Sequence, residues 1–224
     1  MEKLVYLLWK SPDVEAEAVR DTLLLEQAPR LLDLTRGDLT VLTADLGDHL
    51  RSPQEPPLAA AVSFWLDSVD ERGPVEETLR LVAPHLAGYL VTESVPLDYR
   101  QRDWADGEKS PGITMIALIR KPERLSYADF IAHWHGSHTP LSVKIHPLTR
   151  YIRNVVARPL TPNAPDVQGI VPEGFPSLEH FFSPKLLYGS KPNQELMTAD
   201  MEKFLDVDQV HWTIVNEYIL RSTA

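Results

Sequence analysis

The sequence SYADFIAHWHGSHTPLSVKIHPLTRY, residues 126–151, contains the helix around which the predicted fold is built. Ser126 followed three residues later by Asp129 is the pattern of a capping box, which begins a helix. Leu125 and Phe130 lie on either side of this start with the spacing of a hydrophobic staple. We therefore predict that a helix begins at Ser126.

One face of this helix is apolar and aromatic until it reaches a histidine. Phe130, Trp134 and His138 recur at intervals of four residues, so they share one side of a helix. Gly136 and Pro140 favour the end of the helix, because proline disfavours helical geometry in the residue before it. We predict that His138 lies at the helix C-terminus and points toward the buried side.

The elements around this helix follow the order βαββαβ, and the same order occurs earlier in the chain. Alternating or apolar runs predict strands, and runs with a helical period predict helices. The second half has predicted strands over 113–119, 149–156, 167–175 and 210–220, with helices from 126 and over 177–187 and 198–205. The strand over 167–175 is predicted to be weak, because Pro172 and Gly174 interrupt it. The first half has predicted strands over 3–9, 38–45, 60–67 and 88–95, with helices over 14–32 and 74–86.

This order predicts an α+β fold of two tandem ferredoxin-like (βαββαβ) units. The units are residues 1–101 and 113–224, and the polar, turn-rich residues 102–112 are the linker. The predicted strands Lys3–Trp9 and Ile113–Ile119 are apolar on both faces, so both faces must be covered. The simplest cover is the sheet of the other unit, packed face to face or closed into a barrel.

The charge and the residue composition of the chain exclude several classes of binding partner and site. The chain of 224 residues has a net charge of −10, and the acidic excess lies in its first half. Nucleic acid and anionic membranes attract basic patches, so neither is an expected partner. The absence of cysteine excludes disulfides, thiolate nucleophiles and Cys-ligated metals. Neither a membrane span nor a secretory signal is recognisable, so we expect a cytoplasmic protein.

Several short motifs resemble the EthD family. In chain order they are IRKP at 119–122, F-x-x-x-W-x-x-x-H at 130–138, PL at 140–141 and RY at 150–151. The resemblance is clearest over residues 113–156. Residues 1–108 match only in the order of elements and have no histidine in the helix motif, which makes the first unit a degenerate copy. Pro172 and Gly174 stand where the family commonly has an acid and a tryptophan, so an acid that could partner the histidine is missing from its usual place.

The resemblance implies a dimeric α/β-barrel fold, here formed within one chain, with a pocket between sheet and helices. Members of the family have accessory roles in ether degradation and often carry an oxidoreductase label. Relatives resemble cofactor-free dehydratases, cyclases and decarboxylases that act on aromatic, polyketide-like compounds.

Two residues are candidates for catalysis. His138 is a candidate general acid/base, because an imidazole titrates near neutral pH. Taken alone, a histidine that caps the helix end is the commoner explanation, but the family resemblance favours catalysis. Tyr151 is a candidate hydrogen-bond donor to a substrate oxygen or oxyanion, or else a core tyrosine with its hydroxyl at the edge.

Six further residues are candidates for substrate binding, namely Phe130, Trp134, Arg120, Arg150, His211 and Glu217. The arginines could steady an anionic oxygen, although arginine is also common at the exposed ends of strands. The aromatic pair lines either a pocket or the core. The last two residues lie on one side of the final strand and could reach the cavity of His138, where a carboxylate could orient an imidazole.

No metal or cofactor is expected. His133, His135 and His138 invite comparison with a metal site, but no carboxylate completes an H-E-x-x-H pattern. His133 also lies well round an α-helix from His138. Haem held by a histidine, as in other α/β-barrel families, is a further alternative. The chain has no glycine-rich phosphate loop and no Gly-x-Ser-x-Gly elbow.

We predict an EthD-like, cofactor-independent enzyme that moves a proton on a small apolar or aromatic molecule, as in dehydration, cyclisation or decarboxylation. One alternative is a non-catalytic protein that binds a hydrophobic ligand or assists an oxygenase. A second alternative is that the long loops over 159–165 and 190–193 mediate assembly. A homo-oligomer is compatible with all of these functions. Catalysis requires that His138 face a cavity with an anion-stabilising donor nearby.

Overall fold

The computed structural model describes residues 1–47, 49–53 and 56–223. The strands are β1 (Glu2–Trp9), β2 (Arg36–Thr43), β3 (Leu58–Leu66), β4 (His85–Leu97), β5 (Ile113–Ile119), β6 (Arg150–Pro159), β7 (Gly169–Phe175) and β8 (His211–Arg221). The helices are α1 (Ala16–Asp21), α2 (Ala28–Leu34), α3 (Gly73–Arg80), α4 (Tyr127–His133), α5 (Thr139–Ile145), α6 (Leu178–Phe182), α7 (Pro184–Tyr188) and α8 (Lys191–Phe204). Two π-helical turns, Thr22–Gln27 and Trp134–His138, join α1 to α2 and α4 to α5.

The eight strands close into one antiparallel barrel in the order β1-β3-β2-β8-β5-β7-β6-β4. Strands β1 to β4 are consecutive in it as β4-β1-β3-β2, and β5 to β8 repeat this order as β8-β5-β7-β6. The two sets of four join where β2 pairs with β8 and where β4 pairs with β6. The chain therefore has a mixed α/β fold with one closed, eight-stranded barrel.

The first strand of each half is buried on both faces, as its apolar sequence predicts. Val5 of β1 and Ile116 of β5 face the barrel interior and belong to one hydrophobic core. Tyr6 and Ala117 face outward and pack beneath the helices of their own halves. Complete burial of an aliphatic side chain contributes roughly 1.5–3 kcal/mol. The shared interior core therefore ties the two halves into one structure.

The helix start that the sequence predicts is confirmed. Ser126 is the N-cap, and its Oγ accepts a hydrogen bond from the Asp129 amide at 3.1 Å. Leu125 and Phe130, which flank this cap, belong to the same hydrophobic cluster.

The predicted helix end near His138 is wrong. The helix instead widens into the π-helical turn and continues as α5 to Ile145. Pro140 lies in the first turn of α5, where its missing N–H is not needed. The backbone N–H and the side-chain hydroxyl of Thr139 both donate hydrogen bonds to the Trp134 carbonyl. This carbonyl, at the start of the widened turn, is therefore hydrogen-bonded.

Two segments predicted to be weak or irregular lie against strands. β7 pairs continuously with β5 despite Pro172 and Gly174. Residues 102–112, which were predicted to be a linker, lie alongside β8. There the Gly107 amide donates a hydrogen bond to the Ile219 carbonyl at 2.7 Å. Gly112 then turns the chain into β5 with a φ of +82°, and a Cβ atom there would lie 2.1 Å from the Phe175 carbonyl oxygen.

None of the helices in the described part of the chain is long and apolar enough to cross a membrane.

Candidate active site

A cavity of about 310 Å³ lies between the outward face of the C-terminal strands and the helices that cover them. This volume is within the range of small-molecule sites, about 300–1,000 Å³. Most of the wall is apolar, and its aromatic rings come from Trp134, Phe175, Phe181, Phe204 and Trp212. The polar side chains in the wall are those of His138, Ser142, His146, Tyr151, Glu173 and Tyr188.

His138 enters the cavity wall from the π-helical turn and is 9% exposed. Its Nδ1 lies 2.9 Å from Oδ2 of Asp200 on α8. An ionised carboxylate can only accept, so Nδ1 carries the hydrogen and Nε2 carries the lone pair. Nε2 has no hydrogen bond with a described residue, and the protein does not occlude it. The free nitrogen is therefore available to a ligand.

The π-helical turn explains how His133 and His138 share one acid. His133 Nε2 lies 2.9 Å from Oδ1 of Asp200, so each carboxylate oxygen faces one imidazole. In an α-helix, residues five apart point in different directions. A π-helical turn holds more residues, with i to i+5 hydrogen bonds, and brings the two rings to the same side. The prediction that His133 lies well round the helix from His138 is wrong for this reason.

The environment of His138 favours its neutral form. Burial lowers the pKa of His138, and Asp200 opposes this effect without reversing it. The Phe204 ring covers one side of the imidazole, with 4.8 Å between ring centroids. The imidazole is therefore neutral at pH 7 and can accept a proton at Nε2.

Tyr151 lies in the same cavity wall, on β6, and is 1% exposed. Its hydroxyl oxygen lies 3.4 Å from Trp134 Nε1 and 3.5 Å from Thr139 Oγ1. Burial raises the pKa of Tyr151 above its ordinary value. The hydroxyl therefore keeps its proton at neutral pH and can act as a donor.

The aromatic pair of the helix has two different positions. Trp134 lines the cavity, whereas Phe130 lies beneath it, completely buried, with its ring 6.0 Å from that of Phe204. Phe130 thus supports the wall without forming part of it.

The structure places the two predicted arginines outside this cavity. Arg120 is exposed and lines clefts on the surface, where it faces Asp166 at 3.9 Å. Arg150 points into the barrel, because neighbouring residues of a strand face opposite sides and Tyr151 faces the helices. There it donates to Glu217 at 2.9 Å and to Asp98 at 3.0 Å.

The structure also separates His211 and Glu217 from His138. Glu217 lies in the barrel interior with Arg150 and accepts hydrogen bonds from Tyr99 and Ser110, both at 2.8 Å. His211, at one end of the barrel, lines a different cleft. The residue of β8 that reaches the cavity is Trp212, on the opposite face of the strand. The prediction that they reach the cavity fails because the cavity lies outside the barrel.

Sequence reasoning missed both acids of the site. Asp200 lies on α8, about 60 residues from the histidine motif, and no local pattern connects them. Glu173 lies between Pro172 and Gly174, in the strand predicted to be weak. A signal for Glu173 was present, because strand alternation places it on the same face as the buried Val171 and Phe175.

Within the described ranges, no group of three or more histidine, aspartate or glutamate side chains could hold a metal ion.

Comparison with known proteins supports the family and the fold. Residues 122–208 match the family model of the EthD domain, which confirms the resemblance predicted from the sequence. No curated protein matches the chain.

Solved structures are similar along almost the whole chain. One is an anthrone oxidase-like protein, with a TM-score of 0.58, 6% identity and coverage of 100% of this chain and 96% of that chain. Another is a candidate monooxygenase from Fusobacterium nucleatum subsp. nucleatum, with a TM-score of 0.55, 9% identity and coverage of 98% and 92%. A third is chlorite dismutase from Candidatus Nitrospira defluvii in complex with imidazole, with a TM-score of 0.51, 9% identity and coverage of 98% and 92%.

At such low identities these similarities concern the fold alone. Residues 122–208 are similar to the EthD domain, and the whole chain shares its fold, with one closed eight-stranded barrel, with these solved structures.

Proposed function

We propose that the chain is a small-molecule enzyme of the EthD type that moves a proton on an apolar, cyclic or aromatic substrate. The observation that carries this proposal is the placement of His138, with one ring nitrogen held by Asp200 and the other free in the wall of an apolar cavity. An imidazole in this state is a general base whose tautomer and orientation are fixed.

The roles of the other residues follow from this assignment. Asp200 fixes the tautomer of His138 and stabilises the imidazolium that forms when Nε2 takes a proton. Tyr151 keeps its proton and donates a hydrogen bond to an oxygen that gains negative charge. General acid–base catalysis of this kind contributes a factor of about 10² to 10⁴ in rate.

The cavity wall supports a flat, uncharged ring system as substrate. Its rings offer stacking surfaces, and most of the residues that line it are apolar. Anthrone, a tricyclic ketone with an acidic C–H group, is a suitable test compound, and the name of one similar structure points to the same compound class. Exchange of this C–H for C–D requires only proton transfer.

Deuterium exchange into anthrone in heavy water, followed by proton NMR, tests the function. We expect the protein to accelerate exchange and His138→Gln to slow it by about 100-fold or more. His85→Gln, an exposed histidine away from the cavity, is the control and should exchange anthrone at the wild-type rate.

The same assay separates catalysis from ligand binding alone. If the protein only binds ligands, anthrone should quench its tryptophan fluorescence, because Trp134 and Trp212 line the cavity. The rate of deuterium exchange into anthrone would then be unchanged by the protein. Wild-type exchange no faster than that of His138→Gln would contradict the enzyme assignment and favour the binding role.

We also propose that residues 1–101 and 113–224 are two ferredoxin-like copies joined by residues 102–112, and that only the second carries the site. The repeated order of four strands supports this duplication. So does the repeated helix, since each copy has an α-helix, a π-helical turn and a second α-helix.

The repeated helix also supports a single site. In each copy a proline lies in the first turn after the π-helical turn, at Pro29 and at Pro140. Alignment on these prolines puts Gln27 at the position of His138. Glutamine has no titratable group, so the first copy lacks the base and acts as the partner that closes the barrel.

A further inference from the structure

A buried carboxyl group faces the cavity without a partner. Glu173 lies on β7, directly across from Tyr151 on β6, and is 8% exposed. Within the described part of the chain, no group donates a hydrogen bond to it and no cation pairs with it. Its oxygens are not occluded by protein, and the residue lines the cavity. The carboxyl group is therefore open to a ligand.

The other buried carboxylates in the described residues are different. Glu76 accepts from Tyr6 at 2.8 Å, Asp200 contacts two histidines, and Glu217 contacts Arg150. An unpartnered buried carboxyl destabilises the folded protein. Local costs of this kind are expected at functional sites, where a ligand supplies the missing partner.

Glu173 is also the cavity group that changes charge near neutral pH. Burial raises the pKa of Glu173 to about 7. The pKa values of His138 and His146 are lowered, and those of Tyr151 and Tyr188 are raised, in each case chiefly by burial. Arg153, beside Thr139, stays charged although burial lowers its pKa, because an arginine titrates far above this range. Between about pH 7 and pH 9, Glu173 alone titrates among these groups.

Building on the proposed function, we propose that Glu173 is a second catalytic residue, which gives a proton to the carbonyl oxygen of an aromatic ketone while His138 takes one from a conjugated carbon. The two residues come from different walls of the cavity, one from the sheet and one from the helix. A ring system between these walls can present its oxygen to one residue and its C–H group to the other.

The step balances without an oxidant. The C–H bond breaks, its proton goes to His138 Nε2, and its electron pair joins the conjugated ring. The π pair of the carbonyl moves to oxygen, which forms an O–H bond with the proton of Glu173. The product is the enol, and the imidazolium and carboxylate return to their starting forms by exchanging a proton with water.

A binding measurement isolates Glu173 from the chemistry of His138. The probe is 9-fluorenone, a flat ketone that has no titratable group and no enolisable C–H, and tryptophan quenching reports its binding. We expect wild-type affinity to fall by about 5-fold or more from about pH 6.5 to pH 9, because an ionised carboxyl cannot donate to the ketone. Glu173→Gln keeps a donor and does not titrate, so its affinity should not depend on pH.

A kinetic measurement tests proton donation itself. Glu173→Gln should slow deuterium exchange into anthrone by about 100-fold or more, although its affinity for 9-fluorenone at low pH stays near the wild-type value. The wild-type exchange rate should fall as pH rises through about 7, and the variant should lose this limb of the profile. A structural role alone would not separate binding from rate in this way.

The outcomes distinguish the two proposals. Three results would each overturn the role of Glu173. They are an exchange rate in Glu173→Gln equal to that of the wild type, wild-type binding of 9-fluorenone that does not depend on pH, and no binding of 9-fluorenone. Wild-type exchange by His138→Gln overturns the proposed function. Loss of exchange in His138→Gln together with normal exchange in Glu173→Gln leaves the function standing and removes Glu173 from it.

Discussion

At the scale of single residues, the site contains two titratable groups that burial shifts in opposite senses. Burial lowers the pKa of His138 and raises that of Glu173, because in each case it disfavours the charged form. His138 has Asp200 to offset part of this effect, whereas Glu173 has no such partner among the described residues. Just below pH 7, one group is thus a neutral base and the other is mainly a neutral acid.

The raised pKa of Glu173 predicts a pH-dependent stability. Between its ordinary value of 4.5 and about 7, the folded protein binds more protons than the unfolded chain, so stability falls as pH rises through this window. Glu173→Gln removes the effect. We expect the variant to match the wild type at about pH 4 and to exceed its free energy of unfolding by about 3 kcal/mol at pH 8.5.

Urea unfolding at the two pH values measures this difference. Glu123→Gln, an exposed glutamate on the surface, is the matched control and should leave both values unchanged. Equal stability of the wild type and Glu173→Gln at high pH would mean that Glu173 is solvated or paired in solution.

A second residue-scale prediction concerns Asp200. In Asp200→Asn the side-chain amide can donate to Nδ1 of His138, which moves the proton to Nε2 and removes the base. The pKa of His138 should fall further, because the carboxylate that raises it is gone. Nitrogen-15 NMR of the imidazole should show the changed tautomer, and exchange into anthrone should slow by about 100-fold or more.

The exposed Asp13→Asn serves as control for this change. An unchanged His138 tautomer in Asp200→Asn would show that the carboxylate does not orient the ring.

At the scale of elements, the π-helical turn decides which side chains meet. Sequence rules predicted the helix start at Ser126 correctly, because capping is a local interaction between the cap and Asp129. They failed at the other end, because a turn widened before Pro140 removes the conflict that normally ends a helix at proline. The meeting of His133 and His138 at Asp200 depends on that wider turn.

Thr139 is expected to stabilise this turn. Its buried hydroxyl donates to the Trp134 carbonyl at 2.9 Å and accepts from Arg153 at 3.2 Å. Thr139→Val removes the hydroxyl at nearly constant volume, which takes one of two donors from the Trp134 carbonyl and the acceptor from Arg153 Nη1. We therefore expect a loss of about 1–3 kcal/mol in thermal or urea unfolding. Thr139→Ser keeps the hydroxyl and should recover most of the loss. Equal losses in both variants would point to the methyl group instead.

At the scale of the whole molecule, much of the architecture could be predicted and the position of the site could not. Strands that are apolar on both faces implied that both faces of each sheet are buried. The closed barrel buries the inner faces, and the helices cover the outer ones. The placement of Arg150 could have been predicted, since its neighbour Tyr151 occupies the opposite face of β6. The pairing with Asp200 could not, because it depends on how α8 packs on the histidine helix.

The shared interior core predicts that the halves unfold together. Ile170 is completely buried in the barrel and packs in the same core as Val5 of the first half. Ile170→Ala should cost about 2–5 kcal/mol and lower the protection of amides in β1 and β5 alike, measured by hydrogen exchange. Leu81→Ala, at a side chain 65% exposed, is the control and should have little effect. Loss of protection confined to β5 would contradict a single cooperative barrel.

The central claim is that the cavity between the C-terminal sheet and its helices is where a substrate meets His138. A crystal structure of the protein with 9-fluorenone tests it most directly. We predict that the rings lie between Trp134 and Trp212, with an edge toward Nε2 of His138 and the ketone oxygen about 3 Å from Glu173 or Tyr151. A ligand bound in the surface cleft beside Trp9, with the cavity of His138 empty, would contradict the account.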